Sequence, residues 1–257
     1  MLTPEINFVN FKKQLKSKKI NNSFHSLLSE NNSILQSLSK NYQDSFDNKF
    51  TKKFKKLDNF RLLGMGGSTL GSQAIYQFLK HKIKKKFDFI DNLQSNKKTN
   101  KKKNTNLIIS KSGNTIETLV NANILIKKKD KNIFITENKE NYLHQFAKQL
   151  KSDVIHHNNF IGGRYSVLSE VGMLPAELMG LKSKNFRQYN SLIKNKKFVS
   201  GLLNNVASTL YFLKKKKFNS VIINYDEKSE NLFKWYQQLV AESLGKKSKG
   251  ILPIVSN

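Results

Sequence analysis

A carboxylate and an amide lie one helical turn apart near residue 240 of this sequence. Gln238 and Glu242 fall in an amphipathic run that closes with Gly245 and Lys246, as expected at the C-terminal end of a helix. Residues four positions apart share one helix face, so a single ligand can contact both side chains. A carboxylate in such a place can move a proton between neighbouring atoms. Taken alone, the pattern also fits an ordinary helix with a solvated glutamate.

Upstream, a glycine-rich loop stands between a predicted strand and a predicted helix. Residues 64–68, which we call the glycine loop, read Gly-Met-Gly-Gly-Ser and follow a short apolar run. Glycine lets the backbone approach an anion, and the N-terminus of the next helix offers free amides. The spacing matches neither the dinucleotide-binding glycine pattern nor the Walker loop. The loop is therefore either an anion site or a tight turn.

A second loop, rich in hydroxyl groups, follows the next long apolar strand. This serine loop, residues 110–115, reads Ser-Lys-Ser-Gly-Asn-Thr after the strand-like run 107–109. Its three hydroxyls and its backbone amides at a helix start can bind a phosphate monoester. The alternative is a simple helix cap by Thr115, and both interpretations can hold at once. Two such loops at the ends of strands are more specific than either one alone.

The third candidate is a retained arginine. Residues 162–166, the arginine loop, read Gly-Gly-Arg-Tyr-Ser. Arg164 is one of three arginines among 46 basic residues, which indicates that the geometry of its guanidinium matters. The alternative is a structural ion pair with one of the few acidic residues.

Other titratable residues near these loops are expected to have structural roles. Glu117, Glu170 and Glu177 compete with Glu242 for the role of the base, and we expect most of them to be cap or surface carboxylates. The five histidines show no metal-ligand spacing, and we expect His156 and His157 to lie in a solvated loop.

Short apolar strands alternate with helices between residues 58 and 180. This order predicts an α/β fold, an αβα sandwich with a parallel sheet covered on both faces. The sparse apolar positions of residues 1–57 predict a helical N-terminal extension. The Lys/Asn tract at 92–106 is expected to be an irregular connection.

A second unit of the same type follows a polar segment. Residues 181–202 are predicted to be a linker, and residues 203–257 contain one strand-like run, 220–225, and the helix that ends at Gly245. One strand cannot complete a parallel sheet. We therefore expect a second α/β domain that is only begun, in a truncated chain.

The composition limits the classes of function. A net charge of +28 normally points to nucleic acid, but the lysines are scattered in short runs and arginine is rare, so we expect solvated surface charge and no nucleic-acid partner. The chain has no cysteine, which excludes disulfides and fits a cytoplasmic location. Neither a membrane-spanning run nor a secretory signal is visible, so no membrane partner is expected.

Four segments, in this order, resemble the glucose-6-phosphate isomerase family. They are residues 66–71, 110–118, 162–169 and 238–246. The pattern around the serine loop is shared by the wider sugar-isomerase superfamily. The patterns Gly-Gly-Arg-Tyr-Ser and Gln-x-x-x-Glu-Ser-x-Gly-Lys are much more specific, and the similarity extends over about residues 58–254.

The resemblance implies an aldose-ketose isomerase that interconverts glucose 6-phosphate and fructose 6-phosphate in glycolysis and gluconeogenesis. It implies αβα sugar-isomerase domains in a homodimer, a small sugar phosphate as the partner, and no metal or organic cofactor. Glu242 would transfer the proton, Arg164 would stabilise the enediolate and Gln238 would contact the substrate. The residues implied to bind the phosphate and the neighbouring part of the substrate are Gly67, Ser68, Ser110, Lys111 (through its backbone), Ser112 and Thr115.

One part of the family's chemistry has no counterpart in this sequence. The family opens the sugar ring with a histidine and a lysine that follow the glutamate motif, and none of the five histidines stands in that place. The alternative from another class is a non-catalytic sugar-phosphate-binding regulatory module. Gln238 and Glu242 argue against it, because such a module needs no carboxylate at the reacting carbons.

Overall fold

Five parallel strands form the main sheet of this chain. The structure, a computed structural model, describes residues 17–93, 104–127, 129–246 and 249–256. The central strands are short buried runs of Leu, Ile and Phe, as expected for strands covered on both faces. The strands of the main sheet are β1 (Asn59–Leu63), β2 (Lys86–Ile90), β3 (Thr105–Ile109), β4 (Lys131–Glu137) and β5 (Asp153–His157).

Helices precede the sheet, connect its strands and follow it. The glycine loop contains a 3-10 turn, Gly66–Ser68, and the arginine loop opens a longer one, Gly163–Leu168. The helices in the described residues are α1 (Lys18–Ser29), α2 (Ser33–Ser37), α3 (Asn48–Lys52), α4 (Leu70–Phe78), α5 (Ile116–Leu125), α6 (Tyr142–Gln149), α7 (Glu170–Leu178), α8 (Tyr189–Leu192), α9 (Lys196–Lys214) and α10 (Glu230–Leu244).

The strand order β2-β1-β3-β4-β5 puts a topological switch point between β1 and β3. These two strands are direct neighbours, with Leu63 paired to Ile108. In parallel sheets, ligands bind in the crevice at the carboxyl ends of the strands that flank such a point. The glycine loop follows β1 and the serine loop follows β3, so both loops border this crevice.

Successive residues of the central strands face opposite sides of the sheet, and helices cover both sides. One side buries Leu62 and Ile109 in a cluster with residues of α4 and α7, and the other buries Ile108 and Phe134 with residues of α5 and α6. Burying each such side chain contributes about 1.5–3 kcal/mol. The expected αβα sandwich is confirmed.

The segment before β1 is held to the loop after α7 by a buried ion pair and to the core of the sheet by aromatic packing. Arg187 is 1% exposed and binds Asp44 through both guanidinium amines, at 2.5 and 2.9 Å. Burial raises the pKa of Asp44, and the bonds from Arg187 offset part of that rise. Phe54 packs into the cluster on the α7 side of the sheet. The segment therefore completes the core, as short helices around it were predicted to do.

A separate two-stranded parallel sheet lies beyond α9. It pairs β6 (Asn219–Ile223) with β7 (Leu252–Ser256). Our expectation of a single strand in this region is therefore wrong. The sequence conceals β7 because Pro253 interrupts a short apolar run, and proline is tolerated in a strand only at an edge. Gln237 of α10 donates to the Pro253 carbonyl at 3.2 Å and joins the helix to this sheet.

The domain division drawn from the sequence stays a prediction. Helix α9 is continuous across the boundary drawn between residues 202 and 203. Most of the tract 92–106 falls outside the described residues. None of the helices in the described ranges combines the length and the apolar character needed to cross a membrane.

Candidate active site

The serine loop is folded on itself by its own hydroxyl groups. Ser110 Oγ accepts a hydrogen bond from Gly113 N at 3.1 Å and lies 2.8 Å from Thr115 Oγ1. Ser112 is exposed, and its Oγ accepts from Asn114 N at 3.3 Å. The loop therefore gathers three hydroxyls and several backbone amides at the carboxyl end of β3.

The first turn of α5 has no side-chain cap. Thr115 is the N-cap residue of this helix, yet its hydroxyl forms no capping bond and faces Ser110 instead. The first amides of a helix lack an intrahelical acceptor and carry a partial positive charge that favours anions. The capping interpretation of the Thr115 hydroxyl is wrong, and this helix end can accept an anion.

Lys111 directs its ammonium away from the turn of the serine loop. Its Nζ donates to the Asn159 carbonyl at 2.8 Å and lies 3.6 Å from Glu137 Oε1. Burial raises the pKa of Glu137, but the hydrogen bond from Lys139 and the charge of Lys111 outweigh it, and the pKa lies below its usual value. The ammonium of Lys111 is thus already paired, which leaves its backbone as the group that can face a phosphate.

The glycine loop packs directly on the backbone of the arginine loop. A Cβ on Gly67 would lie 2.4 Å from the carbonyl of Gly163 and 2.9 Å from Arg164 N. Ser166 Oγ donates to the Gly163 carbonyl at 2.6 Å and lies 3.3 Å from the Gly67 carbonyl, which ties the two loops together. Gly67 is therefore required for contact between two loops, whereas the sequence indicated only a close approach to a ligand.

Helix α10 brings Gln238 and Glu242 to the glycine loop. Gln238 Nε2 donates to Glu242 Oε1 at 2.8 Å, so the predicted shared face is confirmed. The same amide lies against Gly66, where a Cβ would come within 2.6 Å of it. Gln238 Oε1 is buried and has no hydrogen-bonding partner within the described residues. A ligand hydroxyl in the crevice could donate to this oxygen.

Helix α4 fixes the start of α10. The side chain of Gln77 accepts from Asn231 N at 2.9 Å and donates to the Glu227 carbonyl at 2.7 Å. An acceptor at the first turn of a helix satisfies one of its unpaired amides. Gln77 therefore sets where α10 begins and, through the helix, where Glu242 lies.

Arg164 is held by two consecutive residues of α10. Its Nη1 lies 3.4 Å from Glu242 Oε2, and its Nε donates to Ser243 Oγ at 3.0 Å. Ser243 Oγ also lies 2.7 Å from the Tyr165 hydroxyl, and the guanidinium lies over the Tyr165 ring. The contact with Ser243 and the charge of Arg164 lower the pKa of Tyr165, and Tyr165 and Glu242 raise the pKa of Arg164. Arg164 and Glu242 thus form a cation–carboxylate pair that remains partly open to solvent.

A cavity of about 760 Å³ lies between α4 and α10, and Arg164 forms part of its wall. The walls are mostly apolar and include Phe78, Trp235 and Leu239. A sugar phosphate needs many hydrogen bonds, which such walls do not provide. The polar groups converge instead at the carboxyl ends of β1 and β3.

Two of the competing acids, Glu170 and Glu177, and the histidine His157 have structural contacts. Glu170 is 2% exposed, accepts from the Tyr42 hydroxyl at 2.9 Å and lies 3.6 Å from His157 Nδ1. Glu177 accepts from Ser183 N at 2.7 Å. The expectation of a loop at His156 and His157 is wrong, because both belong to β5; His157 is 1% exposed, whereas His156 is solvent-exposed as expected. The polar residues of this edge strand conceal it in the sequence.

The structure thus brings the candidate residues together at one sheet edge in two groups. Ser110, Lys111, Ser112 and Thr115 lie on the loop after β3, and Gly67, Ser68, Arg164, Gln238 and Glu242 lie around the loop after β1. The sequence reasoning missed Ser243 and Tyr165 as partners of Arg164. The only signal for them in the sequence was that Ser243 directly follows Glu242, and Tyr165 directly follows Arg164, in the two specific motifs.

The fold is that of sugar-isomerase domains. A hypothetical protein of Thermus thermophilus matches with a TM-score of 0.69 and 22% identity, covering 93% of this chain and 63% of that one. Tagatose-6-phosphate ketose/aldose isomerase from Escherichia coli matches with a TM-score of 0.55 and 15% identity, over 81% of this chain and 60% of that one.

The sequence comparisons are more specific. A family model described as phosphoglucose isomerase matches residues 12–251. A glucose-6-phosphate isomerase of Methanocaldococcus jannaschii is 34% identical over 226 residues, 79% of this chain and 55% of that protein. One of Acholeplasma laidlawii is 34% identical over 237 residues, with 79% and 54% covered. The chain belongs to the phosphoglucose isomerase family, and it spans about half the length of the curated relatives it matches.

Proposed function

We propose that this chain carries the phosphate-binding and proton-transfer parts of an isomerase that interconverts glucose 6-phosphate and fructose 6-phosphate. One observation carries the proposal. The uncapped N-terminus of α5 and the pair formed by Arg164 and Glu242 both lie at the switch point of the sheet. The first suits a phosphate, and the second suits a proton transfer next to a carbonyl. The family match supports the substrate.

The chemistry follows from the pair formed by Arg164 and Glu242. Glu242 would take the proton from carbon 2 of the open-chain aldose while the carbonyl electrons move onto oxygen 1. Arg164, whose Nη1 lies 3.4 Å from the carboxylate, would hold the negative oxygen of the enediolate. Movement of the hydroxyl proton from oxygen 2 to oxygen 1 and return of the abstracted proton to carbon 1 then give the ketose. Gln238 would orient the carboxylate through its 2.8 Å hydrogen bond.

The proposal also covers the cellular role, the location and the assembly of the protein. We propose a role in glycolysis and gluconeogenesis, a cytoplasmic location and a homodimer. The domain boundaries predicted from the sequence belong to it as well. A regulatory module that only binds sugar phosphates has no use for a glutamate paired with an arginine at the crevice, so the pair favours the enzyme.

A charge placed in the serine loop tests the phosphate site. Ser112 is exposed and contacts the backbone of its own loop, so Ser112→Asp is expected to leave the fold intact. The new carboxylate would repel the phosphate, and fructose 6-phosphate should bind at least roughly tenfold more weakly. Calorimetric titration with fructose 6-phosphate and with fructose measures the effect.

The matched control is Ser29→Asp, which adds the same charge to an exposed serine of α1. This variant should bind fructose 6-phosphate as the unaltered chain does. Equal affinities of the Ser112→Asp variant and the unaltered chain would show that the phosphate does not lie on the serine loop.

A further inference from the structure

Asn141, just before α6, packs against the serine loop. It is 6% exposed. Gly113, with φ +68°, lies so close to it that a Cβ on the glycine would come 1.9 Å from Asn141 Oδ1. The left-handed turn of the loop therefore rests on this amide, and no larger residue than glycine fits between them.

The hydrogen bonds around Asn141 have only one possible direction. The His144 amide can only donate, so the Asn141 atom 2.8 Å from it is the acceptor Oδ1. The other atom, Nδ2, must then donate, and it does so to Thr136 Oγ1 at 3.1 Å and to the Lys139 carbonyl at 3.0 Å. Because Thr136 Oγ1 accepts from Asn141, its single proton points to the Lys111 carbonyl, 3.2 Å away.

Two carbonyls of the serine loop accept hydrogen bonds from β4 and α6. The Lys111 carbonyl accepts from Thr136 and also from Glu137 N at 3.0 Å. The Gly113 carbonyl accepts from Leu143 N, in the first turn of α6, at 3.0 Å. These carbonyls are turned toward β4 and α6. An anion that approaches the loop from the crevice therefore meets fewer carbonyl oxygens.

We propose that Asn141 is a positioning residue that fixes the serine loop in its anion-binding shape before the ligand arrives. The inference rests on the proposed phosphate site and adds a residue that does not itself touch the phosphate. A loop that is already ordered loses less conformational freedom on binding, so preorganisation strengthens affinity. Without the Asn141 amide, Thr136 no longer receives a hydrogen bond and its proton is free to turn away from the Lys111 carbonyl.

The test is Asn141→Ser in the whole chain, with inorganic phosphate and fructose 6-phosphate as probes in calorimetry. Serine is a good N-cap and can still accept from His144 N, but it is too short to reach Thr136. We expect both probes to bind about tenfold more weakly, with faster hydrogen exchange of the Gly113 and Leu143 amides. The control, Asn195→Ser, makes the same change at the N-cap of α9 and should alter neither measurement.

A second variant, Thr136→Val, keeps the cap and the shape of the side chain and removes the hydroxyl that reaches Lys111. It should weaken the binding of both probes to a similar degree. The loss of affinity in the double variant should be smaller than the product of the two single losses, because both substitutions act through one chain of hydrogen bonds. Unchanged affinity in Asn141→Ser, or strict multiplication of the two losses, would overturn the inference. Failure of the unaltered chain to bind phosphate would overturn the phosphate site and this inference together.

Discussion

In the isomerase that we propose, Glu242→Gln should abolish most of the turnover while sugar phosphates still bind. Glutamine keeps the size of the side chain and its contact with Gln238, but it cannot take a proton. Removal of a general base costs on the order of 10²–10⁴ in rate. Exchange of the carbon-2 proton of glucose 6-phosphate with solvent, followed by NMR, should fall in parallel with turnover, since both reactions pass through one enediolate.

The control for this variant lies on the same helix. Glu230 stands in the first turn of α10, away from Arg164, and pairs with Lys234. Glu230→Gln is expected to retain turnover and exchange. If Glu242→Gln kept normal exchange, the base would be another residue and the assignment carried over from the family would be wrong at its central position.

Gly67→Ala is expected to disrupt the contact between the glycine loop and the arginine loop. The new Cβ would overlap the backbone of Gly163 and press on Arg164 N, so the two loops must separate. Overpacking of this kind costs about 1–3 kcal/mol of stability. A shift of the arginine by about 1 Å would reduce turnover on the order of 10²-fold. Thermal unfolding and steady-state kinetics measure the two effects.

Gly163→Ala provides the matched comparison from the other side of the same contact. A Cβ on Gly163 meets no heavy atom within 4 Å among the described residues. This variant should therefore unfold at nearly the same temperature and turn over nearly as fast as the unaltered chain. Comparable losses in the two variants would mean that the glycine and arginine loops are not packed as described.

The main sheet was predictable because its central strands are buried on both faces. Such strands appear as uninterrupted apolar runs, as at Ile133–Ile135, and the loops that follow them stand out by their glycines and hydroxyls. The strands β5 and β7 lie at sheet edges. There the requirement for apolar residues weakens, and histidines in β5 and a proline in β7 hide the pattern.

The site was predictable in its residue types and less so in its contacts. The sequence placed the proposed phosphate-binding groups and a carboxylate in order along the chain. It could not show that Ser243 holds Arg164, because this contact joins residues 79 positions apart and depends on the rotation of α10 about its axis. The role of Asn141 could not be seen in the sequence for a similar reason, since its partners come from β4 and from the serine loop before α5.

The position of α10 has a consequence for the response of this protein to the sugar phosphate that we propose as its ligand. Helix α10 carries Gln238 and Glu242, yet none of its residues, Glu230–Leu244, is fully buried. The serine loop, in contrast, directly follows β3, a central strand of the main sheet. A ligand that bridges the two stabilises the docked helix by mass action, about 2.7 kcal/mol at a hundredfold excess over its dissociation constant. Occupancy by a sugar phosphate should therefore protect the peptide bonds of α10 from proteases more than those of the sheet.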